Sequence, residues 1–226
     1  MKKLLTLCSS QSAVLSLALM SVSNLSYGAF VLTLDDPNDG VAALTIYDLT
    51  GSDQNGAPGA ITYSGAVGAF TVTVTTGVSK PLIGPASIDL NSIEVSGAAG
   101  TLLVGLSDTD FVGEYSAFTA SYGGNTQGTV DLSFYHAAGN AEFGGSEFAQ
   151  FSHDFSTDGL SFSGSDFSGV SVAQPFSLSV MAEITHDGPN KITSFDALVT
   201  PVPLPAGGLL FLSAVPFVAW LKRKKA

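Results

Sequence analysis

Through the middle of the chain, apolar and polar residues alternate with a period of two. Phe70-Thr71-Val72-Thr73-Val74-Thr75 is the clearest run. A strand there puts Phe70, Val72 and Val74 on one sheet face and the threonines on the other. Val130-Asp131-Leu132-Ser133-Phe134 and the stretch 176–184 alternate in the same way. Further strands are predicted over 30–34, 42–48, 60–64, 92–95, 101–106, 117–122 and 192–198. Turn signals separate them: Asn38-Asp39-Gly40, Asn55-Gly56, Gly97-Ala98-Ala99-Gly100, Gly123-Gly124-Asn125 and Asp187-Gly188-Pro189. Many short strands, spaced by roughly 8–12 residues, predict an all-β fold rather than a parallel α/β sheet. One polar face per strand argues for two antiparallel sheets packed face to face, a β-sandwich of jelly-roll-like topology. One stretch departs from the pattern. Phe148, Phe151 and Phe155 recur at three and four residues in a glycine-free segment, 146–158, which predicts a short amphipathic helix. As a strand, Ala149, Phe151, His153 and Phe155 would share a face instead.

The two ends differ from this body. Residues 1–28 run from Lys2 and Lys3 through the apolar stretch 13–20 to Ser26-Tyr27-Gly28, the three-part plan of a secretory signal peptide. Cleavage by signal peptidase is expected between Gly28 and Ala29, because a cut after Ala29 would place bulky Tyr27 where a small residue is wanted. Cys8, the only cysteine, leaves with the signal, so the mature chain has neither disulfides nor thiol chemistry. At the other end, 206–221 has no charged residue and would make a transmembrane helix of roughly 24 Å, slightly short for a ~30 Å hydrocarbon core. Trp220 suits the interface, and Lys222, Arg223, Lys224 and Lys225 behind it predict a cytoplasmic C-terminus. Three segments follow: signal peptide 1–28, ectodomain 29–201 and tail 202–226. The ectodomain has Lys80 and Lys191 against 19 acids, which is 2 − 19 = −17. That charge repels phosphate backbones and excludes nucleic acid as a partner.

The tail reads Val202-Pro203-Leu204-Pro205-Ala206, then the apolar run, then the basic cluster. It resembles the PEP-CTERM sorting signal in its VPLPA variant. The resemblance implies export, a transient stay in the inner membrane, and processing at this motif by an exosortase in Gram-negative bacteria that make exopolysaccharide. The protein would end at the cell surface or in the extracellular matrix. Gly59-Ala60-Ile61-Thr62-Tyr63-Ser64-Gly65, the string 72–81 and Leu106-Ser107-Asp108-Thr109-Asp110-Phe111 are similar to the ectodomain of a subset of such proteins, which implies a β-rich surface domain with no assigned activity.

Candidate chemistry is sparse. His136, His153 and His186 are far apart and fit no zinc-ligand spacing, so they read as ordinary hydrogen-bonded or surface histidines. Gly145-Ser146-Glu147 and Gly164-Ser165-Asp166 do not fit a nucleophile turn. Asp35, Asp36, Asn38 and Asp39, closed by Gly40, offer the hard oxygen ligands that calcium takes, although Pro37 and Ile46 stand where an EF-hand would need ligands. Asp108-Thr109-Asp110 is a second string of this kind. Both also read as aspartates capping turns. No other cofactor is expected. The sequence points to a non-enzymatic structural or adhesive protein with exopolysaccharide as its partner. The rivals are a carbohydrate-active hydrolase on the same sandwich, which needs two placed carboxylates, and a calcium-dependent carbohydrate-binding module.

Overall fold

The computed structural model of the chain describes residues 28–202 apart from Ala173. The signal segment before Gly28, the Pro203-Leu204-Pro205-Ala206 part of the sorting motif, the apolar run over 206–221 and the basic cluster Lys222, Arg223, Lys224 and Lys225 lie outside the described residues. Among the described residues no helix is long and apolar enough to cross a membrane.

In chain order the elements are β1 Val31–Asp35, β2 Leu44–Tyr47, β3 Ala60–Val67, β4 Phe70–Val78, β5 Ile88–Gly97, β6 Gly100–Phe111, β7 Phe118–Thr126, β8 Thr129–Ala137, β9 Ser146–Asp154, the one-turn helix α1 Phe155–Asp158, β10 Ser161–Ser168, β11 Phe176–His186 and β12 Lys191–Pro201. They form two six-stranded sheets, ordered β2-β1-β6-β11-β8-β9 and β10-β7-β12-β5-β4-β3, with every pairing between these strands antiparallel. Most connections pass from one layer to the other, so the inner faces of both sheets close over one core. Phe70, Val72 and Val74 sit in that core as the alternation predicts, facing Leu32, Leu34, Leu102, Leu106, Val180 and Ile184 of the other sheet's strands. Removing such apolar area from water is what holds the layers together, at about 25 cal/mol per Å².

The outer faces are unlike. In the second sheet a polar row runs across all six strands, Ser64, Thr73, Glu94, Ser194, Asn125 and Ser161 in register. In the first, the 138–145 connection folds back over the strands. Its Phe143 N–H donates to Ser107 Oγ at 3.2 Å, and its Ala141 carbonyl accepts from Ser177 Oγ at 2.6 Å.

Two local expectations are corrected. Residues 146–154 are strand β9 and only 155–158 are helical. The helix-like spacing comes from a bulge: Phe134 faces Ala149 and Tyr135 faces Glu147, which leaves Phe148 as the extra residue. Phe148 and Phe151 can then both pack against the core although they are three apart. Gly123-Gly124-Asn125 is the end of β7 and not a turn. A side chain at Gly124 would overlap the Ser194 carbonyl of the neighbouring strand, so this glycine serves close strand packing.

The directions of the strands give the sandwich two ends. Ala29 N–H donates to Thr109 Oγ1 near the end of β6, and Val202 N–H donates to the Ala117 carbonyl before β7, so both termini of the body leave from one end. The β1–β2 connection and the β3–β4 and β5–β6 turns lie at the other.

Candidate functional site

β2 and β3 are edge strands of opposite sheets. Where they part, a groove of about 580 Å³ opens, bounded by Leu34, Asp35 and Asp36, by Asp39 and the 41–45 segment, by Ser52, and by Tyr63, Ala66, Val67 and Gly68. Behind the 36–39 loop a second hollow of about 560 Å³ is lined by Asp36, Asn38, Asp39, Ala69, Gly100, Thr101 and Thr185. The structure thus brings the predicted oxygen-ligand residues Asp35, Asp36, Asn38 and Asp39 together at one wall between two openings.

Within that wall the carboxylates act mainly on backbone. Asp36 is only 4% exposed; its Oδ1 accepts from Asn38 N–H and its Oδ2 from Ala69 N–H, both at 3.0 Å. The carboxylate reaches the β3–β4 turn because Gly68, at φ +54°, has no side chain in its way; a Cβ there would overlap it. The Ala69 amide holds the Asp36 carboxyl below its ordinary value, burial opposes it, and Asn38 adds to the lowering. Asp39 Oδ1 accepts from Val41 N–H at 2.6 Å. This is a capped turn. Among the described residues no group of three or more His, Cys, Asp or Glu is placed to hold a metal ion.

The second acidic string has a different fate. Asp108 is 1% exposed and lies 2.7 Å from Lys80 Nζ, with Ser79 Oγ donating to the same oxygen at 2.5 Å and Thr109 N–H to the other at 2.8 Å. Lys80 also donates to the Thr109 carbonyl and lies over the Phe111 ring. Burial raises the Asp108 carboxyl above its ordinary value, and Lys80 opposes the rise. Asp110 is held elsewhere, its Oδ1 accepting from Asn140 Nδ2 at 2.6 Å while its N–H donates to Asn140 Oδ1 at 2.7 Å. The cation at this string is the protein's own lysine.

Other residues of the groove have no motif. The Tyr63 hydroxyl donates to the Ala66 carbonyl at 3.0 Å, which pins the ring along the edge of β3 beside Gly65. Its only local sign is a tyrosine in an alternating run, and many such residues have no function. The histidines lie outside the groove: His136 Nδ1 is 3.1 Å from the Ser146 carbonyl, His153 Nε2 is 2.8 Å from that of Gly159, and His186 Nε2 is 2.9 Å from Thr193 Oγ1. The expected site residues Gly28 and Ala29 pack against Thr109, and of the sorting motif Val202 alone is described, at the end of β12.

No protein-family model and no curated protein matches the chain. Among solved structures, TmCBM61 in complex with β-1,4-galactotriose is 8% identical with a TM-score of 0.35, over 52% of this chain and 83% of that one. The CBM22-1 xylan-binding domain from Paenibacillus barcinonensis Xyn10C is 16% identical with a TM-score of 0.34, over 66% and 89%. A variant of the family 29 carbohydrate-binding module CBM29-2 is 12% identical with a TM-score of 0.30, over 66% and 81%. Likeness at this level assigns neither ligand nor site to the chain.

Proposed function

We propose that the chain is a non-catalytic surface or matrix protein whose groove between β2 and β3 holds a stretch of uncharged exopolysaccharide. The observation behind this is the groove itself: it joins carboxylate acceptors for sugar hydroxyls at Asp35 and Asp39 to the Ser52 hydroxyl, the Tyr63 ring and the apolar wall of 41–43. The charge distribution favours an uncharged polymer. The basic side chains among the described residues are Lys80 and Lys191. Lys80 is tied to Asp108, and Lys191 lies 3.2 Å from Asp187 and over the Phe155 ring. A uronic or sulfated chain would therefore meet net repulsion. The rival hydrolase needs a carboxyl held protonated near neutral pH to serve as general acid. Asp36, the buried carboxylate of the groove, is shifted the opposite way.

Delivery to the matrix follows from the ends of the chain: a signal peptide cut after Gly28, then an exosortase acting at Val202-Pro203-Leu204-Pro205-Ala206 to free the body from its anchor. Intact mass of the surface form tests that route, since a tail still attached through Lys222 would make the segment a plain anchor.

Affinity electrophoresis of the purified protein in gels holding a neutral β-glucan, a neutral galactan or a uronic-acid polymer tests the groove. Retardation is expected in a neutral gel, and Tyr63→Ala or Asp35→Asn should weaken it about tenfold, the equivalent of ~1.4 kcal/mol. Retardation only by the uronic polymer, or equal retardation of wild type and both variants, would overturn the proposal.

A further inference from the structure

At the end of the sandwich where the chain enters, the first strand runs between two acids, the buried Asp108 and the half-buried Asp48. The Phe30 carbonyl accepts from Asp48 N–H at 3.0 Å on the β2 side. On the other side the register that pairs Val31 with Ser107 carries on to put Phe30 beside Asp108. Asp108 has partners on both oxygens, Lys80 among them. Asp48 does not: Oδ2 accepts from Gly59 N–H at 2.8 Å, while Oδ1 is sealed from solvent with no hydrogen-bond partner. Asp53 adds further negative charge to its surroundings, and Asp110 turns away to Asn140. Asp48 and Asp108 thus bring two carboxylates to this end of the sandwich, and the ammonium paired here is Lys80, on Asp108.

The remaining element packed here is the start of the body. Ala29 N–H donates to Thr109 Oγ1 at 2.8 Å, and Gly28 is so close to the Thr109 carbonyl that a Cβ would overlap it. We propose that the α-ammonium of Ala29, freed by cleavage after Gly28, is the second cation of this cluster and that the mature N-terminus is an ion-pairing group built into the fold. In the cleavage, water adds across the Gly28–Ala29 amide. The carboxylate of Gly28 departs with residues 1–28, and the new amine takes up a proton, since its ordinary pKa is about 7.7–8.0. An amide with one hydrogen becomes an ammonium with three. One keeps the Thr109 Oγ1 bond, and the added charge enters on the strand that Asp48 and Asp108 flank. Burial disfavours a lone carboxylate, so removing the imbalance stabilises the exported form alone. The inference rests on the signal-peptide reading and is independent of the groove.

The experiment compares the full chain exported through its own signal with the same chain retained unprocessed in the cytosol, each as wild type and as Asp48→Asn. The exported protein should begin at Ala29 by intact mass and melt several degrees above the unprocessed one, and Asp48→Asn should remove most of that gap. A gap of the same size in both backgrounds overturns the ion pair and leaves the cleavage reading standing. A first residue other than Ala29 overturns both. A second measurement does not depend on the variant: the Ala29 amine of the exported protein should react with acetic anhydride at pH 7.5 about tenfold more slowly than the same amine in an unfolded peptide, the effect of one unit of pKa. Equal rates would refute the ion-paired ammonium.

Discussion

Asp35-Asp36-Pro37-Asn38-Asp39-Gly40 and Asp108-Thr109-Asp110 look alike along the chain, and the fold treats them as opposites. At the first, the protein answers negative charge with its own backbone amides and leaves the rest facing a groove. At the second, it answers with an ammonium from 28 residues away and closes the site to solvent. The same amides that satisfy Asp36 lower its pKa, while burial raises that of Asp108 even beside a lysine. A short acidic string therefore states only that charge must be compensated. Which group compensates it, and whether a ligand can approach, is set by strands distant in sequence.

The comparison breaks most sharply at Lys80. Lys80→Met should destabilise the protein by about 3 kcal/mol, because it leaves Asp108 buried and unpaired. Adding Asp108→Asn should recover more than half of that loss. Urea unfolding of the two variants checks this, and a single-variant loss below about 1 kcal/mol would mean that Asp108 is already compensated by Ser79 and Thr109. Asp36→Ala comes next, with an expected loss of about 1–3 kcal/mol from two amides that lose a charged acceptor. Asp39→Ala, at an exposed cap, should stay within about 0.5 kcal/mol. A reversed order of these two would show that the loop is not organised by Asp36.

A third test uses pH at the groove end. Burial, helped by the charge of Lys191 and opposed by that of Asp187, lowers the pKa of His186 from 6.5. Its folded state therefore binds protons less readily than its unfolded state, so its contribution to stability is full above about pH 6.5 and declines as the pH falls toward the folded value. The melting temperature should drop between pH 7 and 5.5, and His186→Gln should flatten that slope. The carboxylates Asp48, Asp89 and Asp108, all raised, titrate with the opposite sign, so they do not mimic the effect. The smallest effect concerns ions. With a body charge of −17, from 2 basic and 19 acidic side chains, salt should raise the melting temperature by screening. Calcium and sodium chlorides at equal ionic strength should do so equally, and an excess for calcium would restore a cation to Asp35, Asp36, Asn38 and Asp39.

Much of the sandwich was legible because half-buried strands must alternate. The inward residues of β4, β8 and β11 can be read directly from the sequence. β9 was misread because its bulge mimics helical spacing. β10 was not seen at all: Ser161–Ser168 contains Phe162 as its one buried apolar residue and a glycine at its centre, so little distinguishes it from a loop. Strand order, the groove between two edge strands and the Lys80–Asp108 pair depend on contacts across the fold, for which one sequence has no local sign. The acidic wall of the groove was legible as residues but not as geometry, and Tyr63 acquires meaning only once β3 is placed at an edge.

The most direct test is to titrate the 15N-labelled protein with a neutral oligosaccharide that retards it and to follow the backbone amides by NMR. The account predicts that shifts cluster at 34–45, Ser52 and 63–68 and leave the polar row from Ser64 to Ser161 unmoved beyond Ser64 itself. Shifts centred on Glu94, Ser194 and Asn125, with the groove silent, would place the ligand on the outer face of the second sheet and contradict it.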